Sequence, residues 1–271
     1  MSKRLWILLG VLALLTAFVA VPAGAITDGD LDGDGHPYVG LMVAQGYDDA
    51  GNLTPMWRCS GTLLSSTVFL TAGHCTDGAD RVEIWFDADV DSGIPANGYP
   101  YTGDVGGTPY AHPDYDPAAF FLRDVGVVVL DEPIVMPEYG ALPAEDELDR
   151  LANRRGLQDV AFTAVGYGLQ QINPVFVEAE RVRMVANPHL IQINVPGFTG
   201  DFSLLLSNNQ ATGGTCFGDS GGPNFIGDTN VVGGVTSFGI NGNCAGTGGV
   251  FRMDRAWARD WVQDFLDGVL P

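Results

Sequence analysis

After Lys3 the sequence has no lysine, and its 33 acidic side chains face only 13 basic ones, a formal net charge of −20. A surface of that sign repels nucleic acid and anionic membranes, so neither is expected as a partner. Histidine is scarce as well: His36, His74, His112 and His189 are the whole supply. Cysteine is limited to Cys59, Cys75, Cys216 and Cys244, scattered with no C-x-x-C pair, which makes a zinc site a poor reading. Strands do not alternate with helical segments, and that argues against a parallel α/β sheet.

The N-terminus carries Lys3 and Arg4, a largely apolar run from Leu5 to Val21, and then Pro22-Ala23-Gly24-Ala25. This is the pattern of a secretory signal peptide cut after Ala25, with a retained membrane anchor as the alternative. Loss of residues 1–25 leaves 11 bases, all arginine, against 33 acids, a net charge of −22. In an oxidising compartment the four cysteines read as two disulfides. Three pairings exist, and the simplest joins Cys59 to Cys75 and Cys216 to Cys244 across short loops.

From Ile26 the chain runs through Asp28, Asp30, Asp32 and Asp34, spaced by glycine and leucine. An EF-hand starting at Asp28 or Asp30 would put Val39 or Leu41 where the bidentate glutamate belongs. The stretch reads better as a solvated acidic loop, with calcium the lesser alternative and no other cofactor indicated. Runs rich in β-branched and aromatic residues follow at 39–44, 57–64, 67–72 and 81–86, and again at 160–165, 175–186, 202–206, 231–238 and 249–253. Between the two sets, 132–158 is a proline-containing connector with a helix-compatible acidic stretch. The predicted plan is a signal peptide over 1–25, β units over 26–131 and 159–252, and a helix in 253–271 carrying Trp257, Trp261 and Phe265 on one face.

Three places carry chemistry. Gly213-Gly214-Thr215-Cys216-Phe217-Gly218-Asp219-Ser220-Gly221-Gly222-Pro223 presents one serine among glycines, where backbone can approach a ligand closely. Gly218 to Gly222 matches the G-x-S-x-G elbow of α/β-hydrolases, whose histidine must follow the serine; here every histidine precedes Ser220. His74, in Leu70-Thr-Ala-Gly-His74-Cys75, ends an apolar strand and is tethered by its neighbouring cysteine, as a general base must be. Asp124 stands at the head of the apolar run Val125–Leu130, read as a strand buried on both faces, so its carboxylate needs a partner such as an imidazole N–H. His112, before a proline, reads as a turn residue, and His36 and His189 carry no further signal.

With Val235-Thr-Ser237-Phe-Gly239, these segments resemble the chymotrypsin-like, trypsin-family serine proteases of the secreted bacterial type. That resemblance covers nearly the whole mature chain and implies an all-β fold of two antiparallel six-stranded barrels with a C-terminal helix. It implies a secreted, extracellular, monomeric endopeptidase acting on protein or peptide substrates, with His74, Asp124 and Ser220 as its triad. It also implies an oxyanion hole from the Gly218 and Ser220 N–H groups, and a salt link from Asp219 to a freed α-ammonium at Ile26. Gly214, Thr215, Phe217, Ser237, Phe238, Gly239 and Gly249 fall at substrate-binding positions. Gly214 stands where trypsin-like members have an aspartate, which implies a neutral pocket for large apolar residues. A catalytically inactive binding protein on the same scaffold and an esterase with the same triad are the alternatives.

Overall fold

The computed structural model describes residues 26–152, 160–173 and 176–270; the expected signal peptide and the end of the connector lie outside them. Strands β2 (Val39–Tyr47), β3 (Leu53–Leu63), β4 (Val68–Thr71), β5 (Arg81–Trp85), β6 (Val105–Ala111) and β7 (Gly126–Leu130) close into a six-stranded antiparallel barrel, ordered β2-β3-β4-β7-β6-β5. Leu41, Leu63, Phe69, Ile84 and Val128 are among the residues that fill its core. β2 is buried along eight of its nine residues, without the alternation of a sheet that faces water on one side.

The second unit departs from the expected closed barrel. Short β1 (Asp30–Leu31), β8 (Phe162–Gly166), β11 (Met184–Ala186), β12 (Leu190–Val195), β13 (Gly200–Asn208), β14 (Pro223–Ile226), β15 (Val232–Gly239) and β16 (Gly246–Arg252) make one eight-stranded sheet, ordered β1-β11-β8-β14-β15-β16-β13-β12. It curls until β12 meets the start of β8 at a single bridge, Ala161 to His189. Pro188, next to that bridge, has no N–H to donate to a longer ladder. The stretch read as a strand over 175–186 is also divided. β9 (Gln171–Asn173) and β10 (Phe176–Glu178) form a separate hairpin, and the Gln170 side chain then holds both the N–H and the carbonyl of Glu180 before β11 begins.

The connector is packed rather than free. Leu148 and Leu151, in a 3₁₀ turn at Glu147–Leu151, are buried in the core of the second sheet with Phe162 and Leu204. The C-terminal helix α3 (Ala256–Leu266), after the short α1 (Gly73–Thr76) and α2 (Val90–Gly93), straddles the two units. Trp257 meets Phe202 and Phe251 of the second, and Phe265 meets Tyr110 of the first. His112 corrects its reading as a plain turn residue. It is 8% exposed, lies edge-on between Trp257 and Trp261, and burial pushes its imidazole pKa down. Both simplest disulfides are formed, Cys59–Cys75 and Cys216–Cys244. No helix among the described residues is long and apolar enough to cross a membrane.

Candidate active site

Two neighbouring strands of the barrel set the first pair. Thr71 of β4 lies opposite Gly126 of β7, so the residues just after β4 and just before β7 emerge at the same end. His74 sits in α1, and its ring Nδ1 is 2.8 Å from Asp124 Oδ2 while its backbone N–H donates to Oδ1 at 2.9 Å. Ser237 of β15 donates its hydroxyl to the same Oδ2 at 2.5 Å. Asp124 is fully buried with three donors around it, as a desolvated carboxylate requires. Gly126 has no room for a side chain, because a Cβ there would lie 2.5 Å from Thr76 Oγ1 and 2.6 Å from the Ala72 carbonyl.

Ser220 comes from the other unit, on the loop that leads into β14. Gly221 presses this loop onto the barrel: its φ is +78°, and a Cβ would fall 2.0 Å from Thr71 Oγ1. Ser220 and His74 line one cavity of about 420 Å³. No hydrogen bond joins the two side chains among the described residues, a separation common in active sites that hold no substrate. The backbone N–H groups of Asp219, Gly221 and Gly222 all donate within the protein, whereas those of Gly218 and Ser220 donate to nothing among the described residues. Two free donors therefore flank Asp219 beside the serine.

Asp219 is fully buried, and its carboxylate takes the Gly168 and Cys216 N–H groups at 2.7 and 2.8 Å. Burial pushes its pKa up to about 7; the two N–H groups and the Arg58 charge pull the other way. Among the described residues no hydrogen bond joins Ile26 to the Asp219 carboxylate; in the full chain the Ile26 nitrogen is a peptide amide. Ile26 itself is fully buried among Ala164, Met184 and Ala186, and Thr27 bridges Gly214 of the serine loop.

Of the residues expected to bind substrate, Thr215, Phe217, Ser237, Phe238 and Gly239 line the cavity. Gly214 and Gly249 do not. The Phe238 ring lies against Gly249, 2.3 Å from where a Cβ would stand, and Asn208 fills the space beside Gly214. His74 is the one titratable side chain in the lining, so the cavity is uncharged apart from it. A Gly214→Asp variant is accordingly expected to lower the melting temperature without creating cleavage after Arg or Lys, because the added Cβ would meet Asn208 at 2.4 Å. Thermal unfolding and a panel of Arg, Lys and Phe substrates check this.

An aromatic wall escaped the sequence reading. Phe120 stands edge-on to His74 at 5.9 Å, Phe121 stacks on Phe198 at 4.7 Å, and Phe198 meets Phe238 at 5.7 Å. Phe120 and Phe121 look like the start of the β7 run but belong to a 3₁₀ turn, Pro117–Leu122, capped by Asp116. The proline in its first turn was the signal available. In the acidic loop, Asp32 is committed to His36 Nδ1 at 2.5 Å and to the buried Arg183 at 3.0 Å, and its pKa lies below the usual value despite burial.

The profile of the trypsin family matches residues 38–262. The chain belongs to the trypsin family. Serine protease 1 of Drosophila melanogaster is 27% identical over 252 residues, 89% of this chain and 85% of the relative. Among solved structures, HL collagenase superposes with a TM-score of 0.67 at 21% identity, covering 89% of this chain and 99% of that one. A scabies mite inactivated protease paralogue superposes at 0.64 with 16% identity, covering 91% and 99%. The fold is thus the chymotrypsin-like one, with a closed first barrel, an open second sheet and a C-terminal helix. The relatives are animal proteins, and the bacterial type finds no support in them. As a trypsin-family chain its expected substrates are proteins or peptides.

Proposed function

We propose that the protein is a secreted serine endopeptidase that works as a monomer outside the cell, and that the mature chain starts at Ile26. The observation that carries the reading is the line from Ser237 and Asp124 to His74 on the cavity of Ser220, next to two unpaired N–H groups. Asp124 holds the Nδ1–H tautomer of His74, which leaves Nε2 free to accept the Ser220 proton as Oγ attacks the scissile carbonyl. The oxyanion formed would take the Gly218 and Ser220 N–H groups, each typically contributing about 3 to 4 kcal/mol in the transition state. His74 then passes its proton to the leaving amine, and water releases the acyl group by the same route.

The uncharged lining, with Phe217 and Phe238, suits a large apolar residue before the scissile bond. Such pockets separate neighbouring side chains by about 1 to 3 kcal/mol per methylene, so broad cleavage after Phe, Tyr, Leu or Met is expected. A peptide library incubated with secreted protein tests the reading, alongside labelling by a serine-directed fluorophosphonate. Cleavage confined to Arg and Lys would overturn the pocket assignment. Binding without labelling would mark an inactive scaffold, and turnover of esters alone an esterase.

Asp219 supports the mature start. A folded carboxyl titrating near 7, against 3.8 ordinarily, keeps a proton that the unfolded chain has already lost between those values. Stability therefore falls as pH rises from about 4 to 7, and the whole penalty is present above 7. An α-ammonium at Ile26 facing Asp219 would remove that penalty. Cleavage would also relieve Ile26, whose φ of +59° lies where β-branched residues are rare. A chain starting at Ile26 is expected to melt higher at pH 8 than one retaining preceding residues, with the gap closing towards pH 4. Equal melting temperatures at pH 8 would end the assignment.

A further inference from the structure

Ser60 follows Cys59 within β3 and is fully buried. A hydroxyl in such a place must find partners, and this one finds them outside its own barrel. Its Oγ donates to the Gly218 carbonyl at 2.9 Å and accepts the Tyr167 N–H at 3.0 Å. Its backbone N–H donates to the Ser220 carbonyl at 2.8 Å, and its own carbonyl takes Thr71 Oγ1 at 2.8 Å. One residue of the barrel thus grips the carbonyls of Gly218 and Ser220, the same two residues whose N–H groups are unpaired.

The geometry points to Ser60 as a positioning residue for the oxyanion donors, an inference that rests on the serine-peptidase reading above. The Gly218–Asp219 peptide lies between the two donor N–H groups. Gly218, at φ +99°, has the widest conformational freedom of any residue type, so its own backbone does little to hold that peptide. Besides the Asp219 N–H bond to the Cys216 carbonyl, two side chains hold it. The Asp219 carboxylate ties the loop to the Gly168 N–H, and the Ser60 hydroxyl ties it to the adjacent Tyr167 N–H. The seat is cut to serine: a Cβ on Gly166 would approach Ser60 Oγ to 3.1 Å, and one on Gly222 would approach Ser60 Cβ to 3.2 Å. Without the Oγ, the Gly218 carbonyl loses its tie and the two N–H groups no longer converge reliably on one point.

The test compares wild type with Ser60→Ala and Ser60→Gly, using a peptide substrate and counting active sites by fluorophosphonate stoichiometry so that unfolded molecules drop out. Expected is a fall in kcat per labelled site of about tenfold, with KM changed less than twofold, as small displacements of a reacting geometry produce. Affinity for a peptide trifluoromethyl ketone, whose adduct carries an oxyanion, should fall by the same factor. A purely structural serine would lower the melting temperature and the folded fraction but leave kcat per site unchanged, and that result overturns the proposal. Failure of both variants to fold would also overturn it, by making the hydroxyl a folding element. A wild type that neither turns over nor labels would instead sink the peptidase reading itself.

Discussion

Ser220→Ala is expected to lower kcat by about a millionfold while leaving the melting temperature within a degree or so of wild type. The two halves of this expectation come from different observations. Ser220 shares its cavity with His74 and lies beside the Gly218 and Ser220 N–H groups, which are free among the described residues, and in the proposed mechanism its Oγ is the attacking atom. That same Oγ makes no hydrogen bond among the described residues, so its removal leaves no buried partner unsatisfied. The backbone of Ser220, which accepts from Ser60, is untouched. Steady-state kinetics with thermal unfolding on the same preparation check both halves. Residual turnover within a hundredfold of wild type would mean that the reaction runs through another group.

Asp124→Asn should reduce kcat by about 10⁴-fold at neutral pH. Asp124 accepts from three donors: the His74 N–H on Oδ1, and His74 Nδ1 and Ser237 Oγ on Oδ2. An asparagine cannot serve all of them. With its NH₂ towards Nδ1, the imidazole must take the Nε2–H tautomer, which has no lone pair for the Ser220 proton. With its NH₂ towards the His74 backbone, two donors face each other in a site closed to water, and the α1 turn that carries the ring is pushed away. Either arrangement disables the base without moving the strands. A pH–rate profile with kcat and KM measured separately checks it, and a loss of under tenfold would remove Asp124 from its assigned role.

Much of the fold could be read locally. The strands that became β4 and β5 are dense in Val, Ile, Leu, Phe and Trp, and turn residues bound the apolar and aromatic runs that became β2, β3 and β15. β6 was not legible, because Gly106, Gly107 and Pro109 weaken any strand signal; it is a strand since β5 and β7 supply partners on both sides. The open second sheet was equally hidden. Whether a barrel closes depends on how β12 meets β8, where the contact is one bridge next to Pro188, which has no N–H to extend it.

The serine loop shows the same division. The order of the histidines, all ahead of Ser220, already argued against an α/β-hydrolase, and the motifs around His74, Asp124 and Ser220 carried the resemblance on which the triad is proposed. Chemistry of that kind belongs to side chains, and side chains are written in sequence. Only the tertiary structure decided that Gly249 is covered by Phe238, that Asn208 backs Gly214, and that Phe120, Phe121 and Phe198 wall the cleft. It alone brought Ser60 to Gly218, 158 residues away. The Phe121–Phe198 and Ser60–Gly218 contacts join the two units and the Gly249–Phe238 and Gly214–Asn208 contacts lie within the second; in each, packing chooses the neighbour and local pattern carries no record of the choice.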